Sequence, residues 1–149
     1  MAEDSGPRAP SGPLWEDTPV PFEEALDGTL GFQVLSLAEE YALGRVAVTD
    51  RVRQMWGLAH SGAYMALAEM LTSEATLASV HDDGMIAVGL SNHTSFLRPV
   101  ERGTIHAEAR RLHGGKTKWL WEVYLKDDDK LRAVSRVTLA VRPRPDNTE

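Results

Sequence analysis

Glu69 lies in the middle of HSGAYMALAEMLTSEAT, residues 60–76, a segment that otherwise has the composition of a buried helix. Moving its carboxylate out of water costs free energy unless a partner offsets that cost or a reaction uses the group. A desolvated carboxylate can serve as a general base or as a nucleophile. Glu69 is therefore the first candidate catalytic residue. A surface position on an amphipathic helix and a structural ion pair are the alternatives.

Two more polar side chains follow Glu69 in this segment. Ser73 comes four residues later, which places its hydroxyl on the same face of a helix as Glu69. Glu74 lies about 140° round the helix from Glu69. We therefore expect a hydroxyl beside the Glu69 carboxylate, and we do not expect both carboxylates at one site.

A single long helix is predicted over residues 60–80. Its apolar side chains recur every three or four residues, and neither proline nor glycine interrupts residues 63–80. The sequence HDDG, which follows, is expected to end it. The buried side of this helix is predicted to carry Tyr64, Leu67, Ala68, Leu71, Ala75 and Leu77.

The remaining segments are predicted to form an antiparallel sheet. A short helix at FEEALDG, ended by Gly28, precedes strands at 31–37 and 41–49. Gly89 marks a bulge or a close backbone approach in the strand that follows the long helix. The short gaps HGGKT and DDDK then indicate hairpins. A curved sheet wrapped round one long apolar helix would bury that helix, so the predicted class is α+β.

Composition restricts the classes of function. The chain has 149 residues, of which 42% are hydrophobic and 26% charged, as is typical of one soluble domain. Its net charge of -6 repels nucleic acid and acidic membranes, so neither is an expected partner. The absence of cysteine excludes disulfides, thiolate zinc sites and cysteine nucleophiles, and it suits a cytoplasmic protein.

The sequence predicts one domain between two tails and no metal site. Residues 1–18 are acidic and rich in proline and are expected to be a disordered or loosely attached tail, without the apolar region of a signal peptide. Residues 19–145 form the predicted single domain, and residues 146–149 a short C-terminal tail. The five histidines lack the spacing of metal ligands, so no metal site is expected. The polar trio Asn92, His93 and Thr94 matches only a glycosylation acceptor, which is irrelevant in a cytoplasmic chain.

Four segments, LDGTLGF, RQMWGLAHSGAYMALAEMLTSEAT, VGLSNHTSFLRPV and AVRPRP, resemble the hotdog-fold acyl-CoA thioesterases. They are most similar to the Arthrobacter-type 4-hydroxybenzoyl-CoA thioesterases, and the resemblance runs from Pro19 to Pro145. Thioesterases for phenylacetyl-CoA and other aryl-CoA substrates share much of the pattern.

The resemblance implies a hotdog fold, in which an antiparallel sheet wraps a long central helix. It implies a homotetramer built as a dimer of dimers, with sites between two subunits. The implied activity is hydrolysis of an aromatic acyl-CoA to the free acid and CoA. No cofactor or metal is needed, because CoA enters as part of the substrate.

The resemblance also assigns the two main catalytic roles. Glu69 aligns with the catalytic carboxylate, acting as nucleophile or general base. The first amides of a helix lack intrahelical partners and suit a developing oxyanion. The family has a glycine where this chain has Ser61, whose backbone N–H is expected to polarise the thioester carbonyl. If Ser61 instead caps the helix, Gly62 can supply the donor.

Three other residues complete the predicted catalytic set. Gln54 aligns with a family glutamine that holds the thioester or the attacking water. His60 precedes the family's glycine, and we expect it to shape the loop through a hydrogen bond. Ser73 replaces a threonine whose hydroxyl lies near the carboxylate, so the hydroxyl is kept and a methyl group is lost.

The negative charges of CoA require local cations on this acidic chain. Arg98 matches a family arginine that contacts the nucleotide phosphates. Lys116, which replaces a serine, and Thr117 occupy a hairpin where the family supplies hydroxyl contacts. Arg144 lies near the position of a further family arginine, although Pro145 aligns best with it. Each of these cations is alternatively an ordinary solvated charge.

Two other functions fit the same scaffold. Ser61 in place of glycine is compatible with a protein that binds acyl-CoA without hydrolysing it. Hydratases of this fold use an Asp–His or a His–Glu pair, which we cannot match here. Among the aromatic residues, Trp56, Trp119 and Trp121 either line an acyl pocket or pack in the core, and the core is favoured for the pair in the strand.

Overall fold

A computed structural model describes residues 19–145, and in it one antiparallel sheet wraps a single long helix. The predictions for residues 1–18 and 146–149 lie outside the described residues. In chain order the elements are α1 (Leu26–Leu30), β1 (Gln33–Leu37), β2 (Tyr41–Ala47), α2 (Ser61–Val80), β3 (Met85–Phe96), β4 (Thr104–Gly114), β5 (Lys118–Asp127) and β6 (Lys130–Pro143). This architecture confirms the predicted hotdog fold.

The sheet has the strand order β1-β2-β4-β5-β6-β3, and every neighbouring pair is antiparallel. Both predicted hairpins are present. Gly115 N–H donates to Lys118 O at 2.9 Å in the first of them. In the second, Asp128 and Asp129 take positive φ angles of 47° and 63°, as a tight hairpin turn requires. Strand β3 is placed at one edge of the sheet, where it pairs with β6 on one side.

Helix α2 is buried round most of its circumference, because the sheet curves about it. All six side chains predicted for its buried side are buried. The burial extends to Met70, Thr72 and Thr76, which lie on other faces of the helix. The helix therefore lacks a single apolar stripe, because almost every face of it packs against protein. Glu69 is half-buried on this helix.

A buried hydrogen bond fixes α2 to the centre of the sheet. The indole Nε1–H of Trp121 donates to Thr76 Oγ1 at 2.9 Å, and the same hydroxyl donates to Thr72 O at 2.8 Å. Trp121 and Thr76 are both 0% exposed, so no water can replace either partner. Trp119 is also buried, which confirms that the tryptophan pair in β5 packs in the core.

The short first helix differs from the prediction. It spans Leu26–Leu30 and ends at Gly31, whose φ of 80° is left-handed. The predicted terminator, Gly28, lies inside the helix. A Cβ atom on Gly28 would lie 2.0 Å from Phe22 O, so this glycine serves a close approach of backbone to backbone. The prediction was wrong because two nearby glycines have different roles that local sequence does not separate.

A search of residues 19–145 finds no helix with the length and apolar character needed to cross a bilayer.

Removing the hydroxyl of Thr76 is expected to destabilise the fold. A Thr76→Val substitution keeps the side-chain shape but leaves the buried Trp121 N–H without an acceptor, which costs about 1–3 kcal/mol of unfolding free energy. Urea denaturation followed by tryptophan fluorescence measures the loss. Thr76→Ser, which keeps the acceptor, is the control and should lose less. Equal stability of Thr76→Val and the wild type would contradict the role given to this hydrogen bond.

Candidate active site

The N-terminus of α2 presents an amide without a protein acceptor. The helix begins at Ser61, and the N-cap is His60, whose Nδ1 accepts a hydrogen bond from Gly62 N at 2.8 Å. Ser61 N–H has no acceptor among residues 19–145, and no acidic side chain occupies the first turn. The positive end of a 20-residue helix is therefore not neutralised locally.

These contacts decide between two alternatives that the sequence left open. The capping side chain is that of His60, so the interpretation of Ser61 as the cap is wrong. The Gly62 N–H is already committed to His60, so it is not the free donor. The predicted loop-shaping hydrogen bond of His60 is present as this cap. Ser61 keeps the amide that an oxyanion would need.

A cavity of about 250 Å³ opens beside this amide. It brings together three of the predicted residues, Gln54, Ser61 and Arg98. Most of the remaining lining is apolar, and the complete set is Gln54, Leu58, Ala59, Ser61, Tyr64, Phe96, Leu97, Arg98 and Pro99. The cavity is smaller than the range of roughly 300–1,000 Å³ usual for small-molecule sites.

The loop before α2 holds Gln54 in a defined orientation. Gln54 N–H donates to Leu58 O at 2.8 Å, and Gly57 N–H donates to Gln54 O at 3.0 Å. The side-chain oxygen of Gln54 accepts from Trp56 N–H at 2.6 Å. Because this donor fixes which end of the amide is oxygen, the NH₂ group of Gln54 is the end available to a ligand. Trp56 itself is 80% exposed and does not line the cavity.

The opposite wall of the cavity is tied to β6 through Arg132. Leu97 N–H and Arg98 N–H both donate to Arg132 O, at 2.8 and 3.2 Å. The Arg132 guanidinium in turn donates to Asp127 at 3.0 Å. These contacts fix the backbone that carries the exposed Arg98 side chain at the rim. The backbone of Arg98 is therefore held in place, and its charged side chain lies at the same cavity as the N-terminus of α2.

Two aromatic rings line the cavity between these walls. Tyr64 of α2 and Phe96 of β3 meet edge to face, with ring centroids 5.9 Å apart and an interplanar angle of 74°. Such pairs form flat, weakly polar surfaces that suit another ring. The cavity therefore offers apolar, aromatic contacts next to a hydrogen-bond donor.

The Glu69 carboxylate lies against the backbone of β3 at Gly89. A Cβ atom on Gly89 would lie 2.2 Å from Glu69 Oε1, so only glycine admits the carboxylate here. The pairing of β3 with β6 shifts between Gly89 and Ser91, which confirms the predicted bulge and close approach. Desolvation by burial raises the pKa of Glu69, and a hydrogen bond from the Asn92 side chain lowers it.

Glu69 does not line the cavity that Ser61 lines. The two residues are eight positions apart on α2, a rise of about 12 Å along the helix axis. Ser73 lies four residues after Glu69 on α2, and hence on the same face of the helix as predicted, but the two side chains share no hydrogen bond among residues 19–145. One chain thus presents an oxyanion donor and a carboxylate in separate places.

The other predicted ligands lie away from the cavity. Lys116 and Thr117 are exposed in the turn between β4 and β5. Arg144 follows β6, and its guanidinium contacts His81 Nε2 at 2.7 Å. Their proposed contacts with CoA stay predictions.

A second pair of carboxylates, Asp27 and Glu74, has perturbed pKa values. Burial raises the pKa of Asp27. Burial, and then the charge of Asp27, raise that of Glu74. Glu74 lies round the helix from Glu69, as predicted, so this pair is separate from the candidate site. Within residues 19–145, no three His, Asp or Glu side chains are close enough to hold a metal ion.

Asn92 is a site residue that the sequence analysis missed. Its side-chain Nδ2 donates to Met65 O on α2 at 3.0 Å, on the face of β3 that also meets Glu69. The available signal was the spacing of Asn92 and Thr94, which places two polar side chains on one face of a strand. The spacing points to a site only once the structure shows that β3 packs against α2 beside Glu69.

Comparisons with known proteins give this geometry a context. Residues 57–134 match the thioesterase superfamily. A crystal structure of a variant of thioesterase PA1618 from Pseudomonas aeruginosa has a TM-score of 0.78 and 32% identity, covering 82% of this chain and 88% of that one. Thioesterase HI1161 from Haemophilus influenzae has a TM-score of 0.75 and 28% identity, covering 91% and 99%. The 1,4-dihydroxy-2-naphthoyl-CoA hydrolase of Listeria monocytogenes is 31% identical over 80% of this chain and 97% of its own length.

The contact between Gly89 and Glu69 is testable by a double-mutant cycle. Gly89→Ala is expected to lower the unfolding free energy by about 1–3 kcal/mol, because the new methyl group overlaps the carboxylate. In a Glu69→Ala background the same substitution should cost at least about 1 kcal/mol less. Chemical denaturation of the four proteins measures the coupling. A coupling of zero would show that the carboxylate does not lie against Gly89.

Proposed function

The chain belongs to the thioesterase superfamily, and we propose that it hydrolyses an aromatic acyl-CoA, 4-hydroxybenzoyl-CoA or a close relative, to the free acid and CoA. The prediction of a thioester hydrolase is confirmed by this membership. The single observation that carries the proposal is the unpartnered Ser61 amide, which opens into a cavity with an aromatic wall.

The proposed reaction uses the helix amide to polarise the thioester. The carbonyl oxygen accepts a hydrogen bond from Ser61 N–H at the positive end of α2, and the Gln54 NH₂ group is a second donor at the same cavity. These donors act most strongly on the negative charge that develops as the carbonyl carbon is attacked. The side-chain oxygen of Ser61 has no role in this scheme.

Glu69 supplies the group that drives the attack. As a general base it takes a proton from water while the water oxygen bonds to the carbonyl carbon. The tetrahedral intermediate then collapses, the C–S bond breaks, and the CoA thiolate leaves and is protonated. As a nucleophile Glu69 would first form an anhydride that water cleaves. Both routes need the ionised carboxylate, so activity should fall as the pH falls through its raised pKa.

The complete site is proposed to lie between two copies of the chain. Within one chain Glu69 is absent from the lining of the Ser61 cavity. The outer edge of β3 has no partner strand among residues 19–145, and Val88 and Leu90 on it are 38% and 47% exposed. Antiparallel pairing of β3 from two copies would cover this edge. It would bring Glu69 of the partner subunit towards the cavity, in a dimer that can pair again into a tetramer.

The acyl group is proposed to be aromatic. The ring pair of Tyr64 and Phe96 gives the cavity a wall that matches a flat ring. The 31%-identical Listeria relative is named for an aromatic substrate, 1,4-dihydroxy-2-naphthoyl-CoA. This bicyclic acyl group is therefore a close competitor of 4-hydroxybenzoyl, and phenylacetyl is another.

The CoA portion of the substrate is proposed to extend from the rim at Arg98. Its phosphates need cations because the chain carries a net charge of -6. Arg98 is a cation at the cavity. Lys116 and Arg144 are further candidate cations at the surface, and Thr117 is a candidate hydroxyl contact. No cofactor takes part in this scheme, and a cytoplasmic location would provide the acyl-CoA substrate.

Loss of either catalytic group is expected to abolish turnover. Glu69→Gln removes the base, and Ser61→Pro removes the amide hydrogen, so each should lower kcat by about 10²–10³-fold. Proline is tolerated at the first helical position after an extended residue, and His60 has φ of -68° and ψ of 135°. Ser61→Ala, which keeps its N–H, is the matched control and should stay near wild type.

Release of free CoA thiol across aromatic and aliphatic acyl-CoAs is the measurement. Wild-type turnover that is fastest on an aromatic acyl-CoA and lost in both variants supports the proposal. Tight binding without thiol release would favour the acyl-CoA-binding alternative. A Glu69→Gln variant as active as the wild type would overturn the assigned chemistry.

Two inactive variants should complement each other if the site spans two chains. In a dimer of one Ser61→Pro chain and one Glu69→Gln chain, one site carries both defects and the other is intact. Random assembly after co-expression is therefore expected to restore about one quarter of the wild-type activity. Each variant alone is the control. Mixtures no more active than the variants alone would place Ser61 and Glu69 of one site in the same chain.

A further inference from the structure

Three residues of adjacent strands form a hydrogen-bonded row that ends on the backbone of α2, one turn before Glu69. Thr94 Oγ1 donates to Asn92 Oδ1 at 2.9 Å, within β3. Ser135 of β6 is directly opposite Thr94 in the sheet, and the two hydroxyl oxygens are 2.7 Å apart. Asn92 then reaches α2, where its Nδ2 donates to Met65 O at 3.0 Å. We refer to Asn92, Thr94 and Ser135 as the polar row.

The hydrogens of the polar row have a single consistent direction. Thr94 has one hydroxyl hydrogen, and it lies on Asn92 Oδ1. Ser135 must therefore donate to Thr94, because Ser135 is 0% exposed and has no water to serve it. With its oxygen occupied, Asn92 turns both hydrogens of its NH₂ group to α2. One of them meets Met65 O, which lies one helical turn before Glu69, and the side chain is near enough to the Glu69 carboxylate to lower its pKa.

Reversing the Asn92 amide would remove this order. Its oxygen would then face Met65 O and the Glu69 carboxylate, two acceptors with no hydrogen to offer. Every donor in the polar row thus points the same way, from the buried Ser135 hydroxyl towards α2, where a group that only accepts hydrogen bonds is favoured. An ionised carboxylate has that character, and it lies against the backbone at Gly89.

We propose that Asn92 is a positioning residue for the catalytic carboxylate, held in its donating orientation by Thr94 and Ser135. The inference rests on the proposed catalytic role of Glu69. Asn92 binds the helix backbone one turn before Glu69, lowers the pKa of the Glu69 carboxyl and does not line the substrate cavity. It acts on the reaction by keeping Glu69 ionised and aimed, in a place where burial favours the neutral acid.

Among residues 19–145, no titratable group is a cause of the pKa shift of Glu69. His93, the neighbour of Asn92, points to the opposite face of β3, and Arg136 is the residue directly opposite it in β6. Arg136 in turn binds Glu122 of β5. The charge of Asp27 raises the pKa of Glu74, which lies round the helix from Glu69. The pKa of Glu69 responds to burial and to Asn92.

A matched set of variants separates this role from a general effect on folding. Thr94→Val keeps the shape of the side chain but removes the hydroxyl that orients Asn92, whereas Thr94→Ser keeps the hydroxyl. Asn92→Asp keeps the shape of residue 92 but replaces its donors with a second carboxylate. His93→Gln alters the other face of the same strand and controls for damage to β3. All are made in the full chain and checked by thermal unfolding.

Two readouts test the proposal. In Thr94→Val, kcat should fall about tenfold at neutral pH while KM stays within about twofold, because substrate contacts are kept. The acidic limb of its pH–kcat profile should move to higher pH. Asn92→Asp should move it further, since a like charge disfavours ionisation of Glu69. Carboxyl ¹³C NMR titration of labelled glutamate gives the pKa of Glu69 without reference to catalysis, and it should rise in both variants.

The outcomes are distinct. Higher pKa values in Thr94→Val and Asn92→Asp, with Thr94→Ser and His93→Gln near wild type, support the proposal. An unchanged Glu69 pKa in Thr94→Val overturns it, even if kcat falls. If the Glu69 pKa rises in Thr94→Val and Asn92→Asp but the Glu69→Gln variant is fully active, the effect of the polar row on Glu69 stands and the proposed function is rejected.

Discussion

The structure depends on accommodating one carboxylate, that of Glu69, on a helix that is almost completely enclosed by protein. Helix α2 is enclosed by a curved sheet, and its side chains fill the core on most faces. A carboxylate on such a helix loses hydration, which raises its pKa. Glycine at position 89 removes the side chain that would otherwise occupy this space, and the bulge beside it bends β3 at the same point. The charge is accommodated by the backbone of an edge strand.

The two candidate catalytic groups on α2, the Ser61 amide and the Glu69 carboxylate, owe their properties to different physical causes. At the N-terminus, the exposed position of the Ser61 amide follows from helix geometry, and the His60 cap satisfies the next amide, so the Ser61 N–H has no acceptor among residues 19–145. At Glu69, burial raises the pKa of the carboxyl and Asn92 lowers it. An enzyme that stabilises an oxyanion and supplies a base needs both. The helix rise of about 12 Å between them is the reason that the proposed site takes one group from a second chain.

Much of this arrangement was predictable from sequence. The uninterrupted pattern of α2 and the hairpin signals are local and strong, so the fold followed from them together with the family resemblance. Gly31 rather than Gly28 ends the first helix because the fold brings Phe22 against Gly28, a contact that no local pattern encodes. Asn92 was missed for the same kind of reason: its role depends on which strand passes Glu69. Residues whose function arises from tertiary contact are the ones that sequence could not assign.

The most direct test is a crystal structure of the Glu69→Gln variant bound to a non-hydrolysable aromatic acyl-CoA analogue. The account predicts that the analogue's carbonyl oxygen accepts a hydrogen bond from Ser61 N–H within about 3.2 Å. It also predicts that the side chain at position 69 facing the carbonyl carbon comes from the other chain of the dimer. A carbonyl bound away from Ser61, or a residue 69 turned to bulk water in both chains, would contradict it.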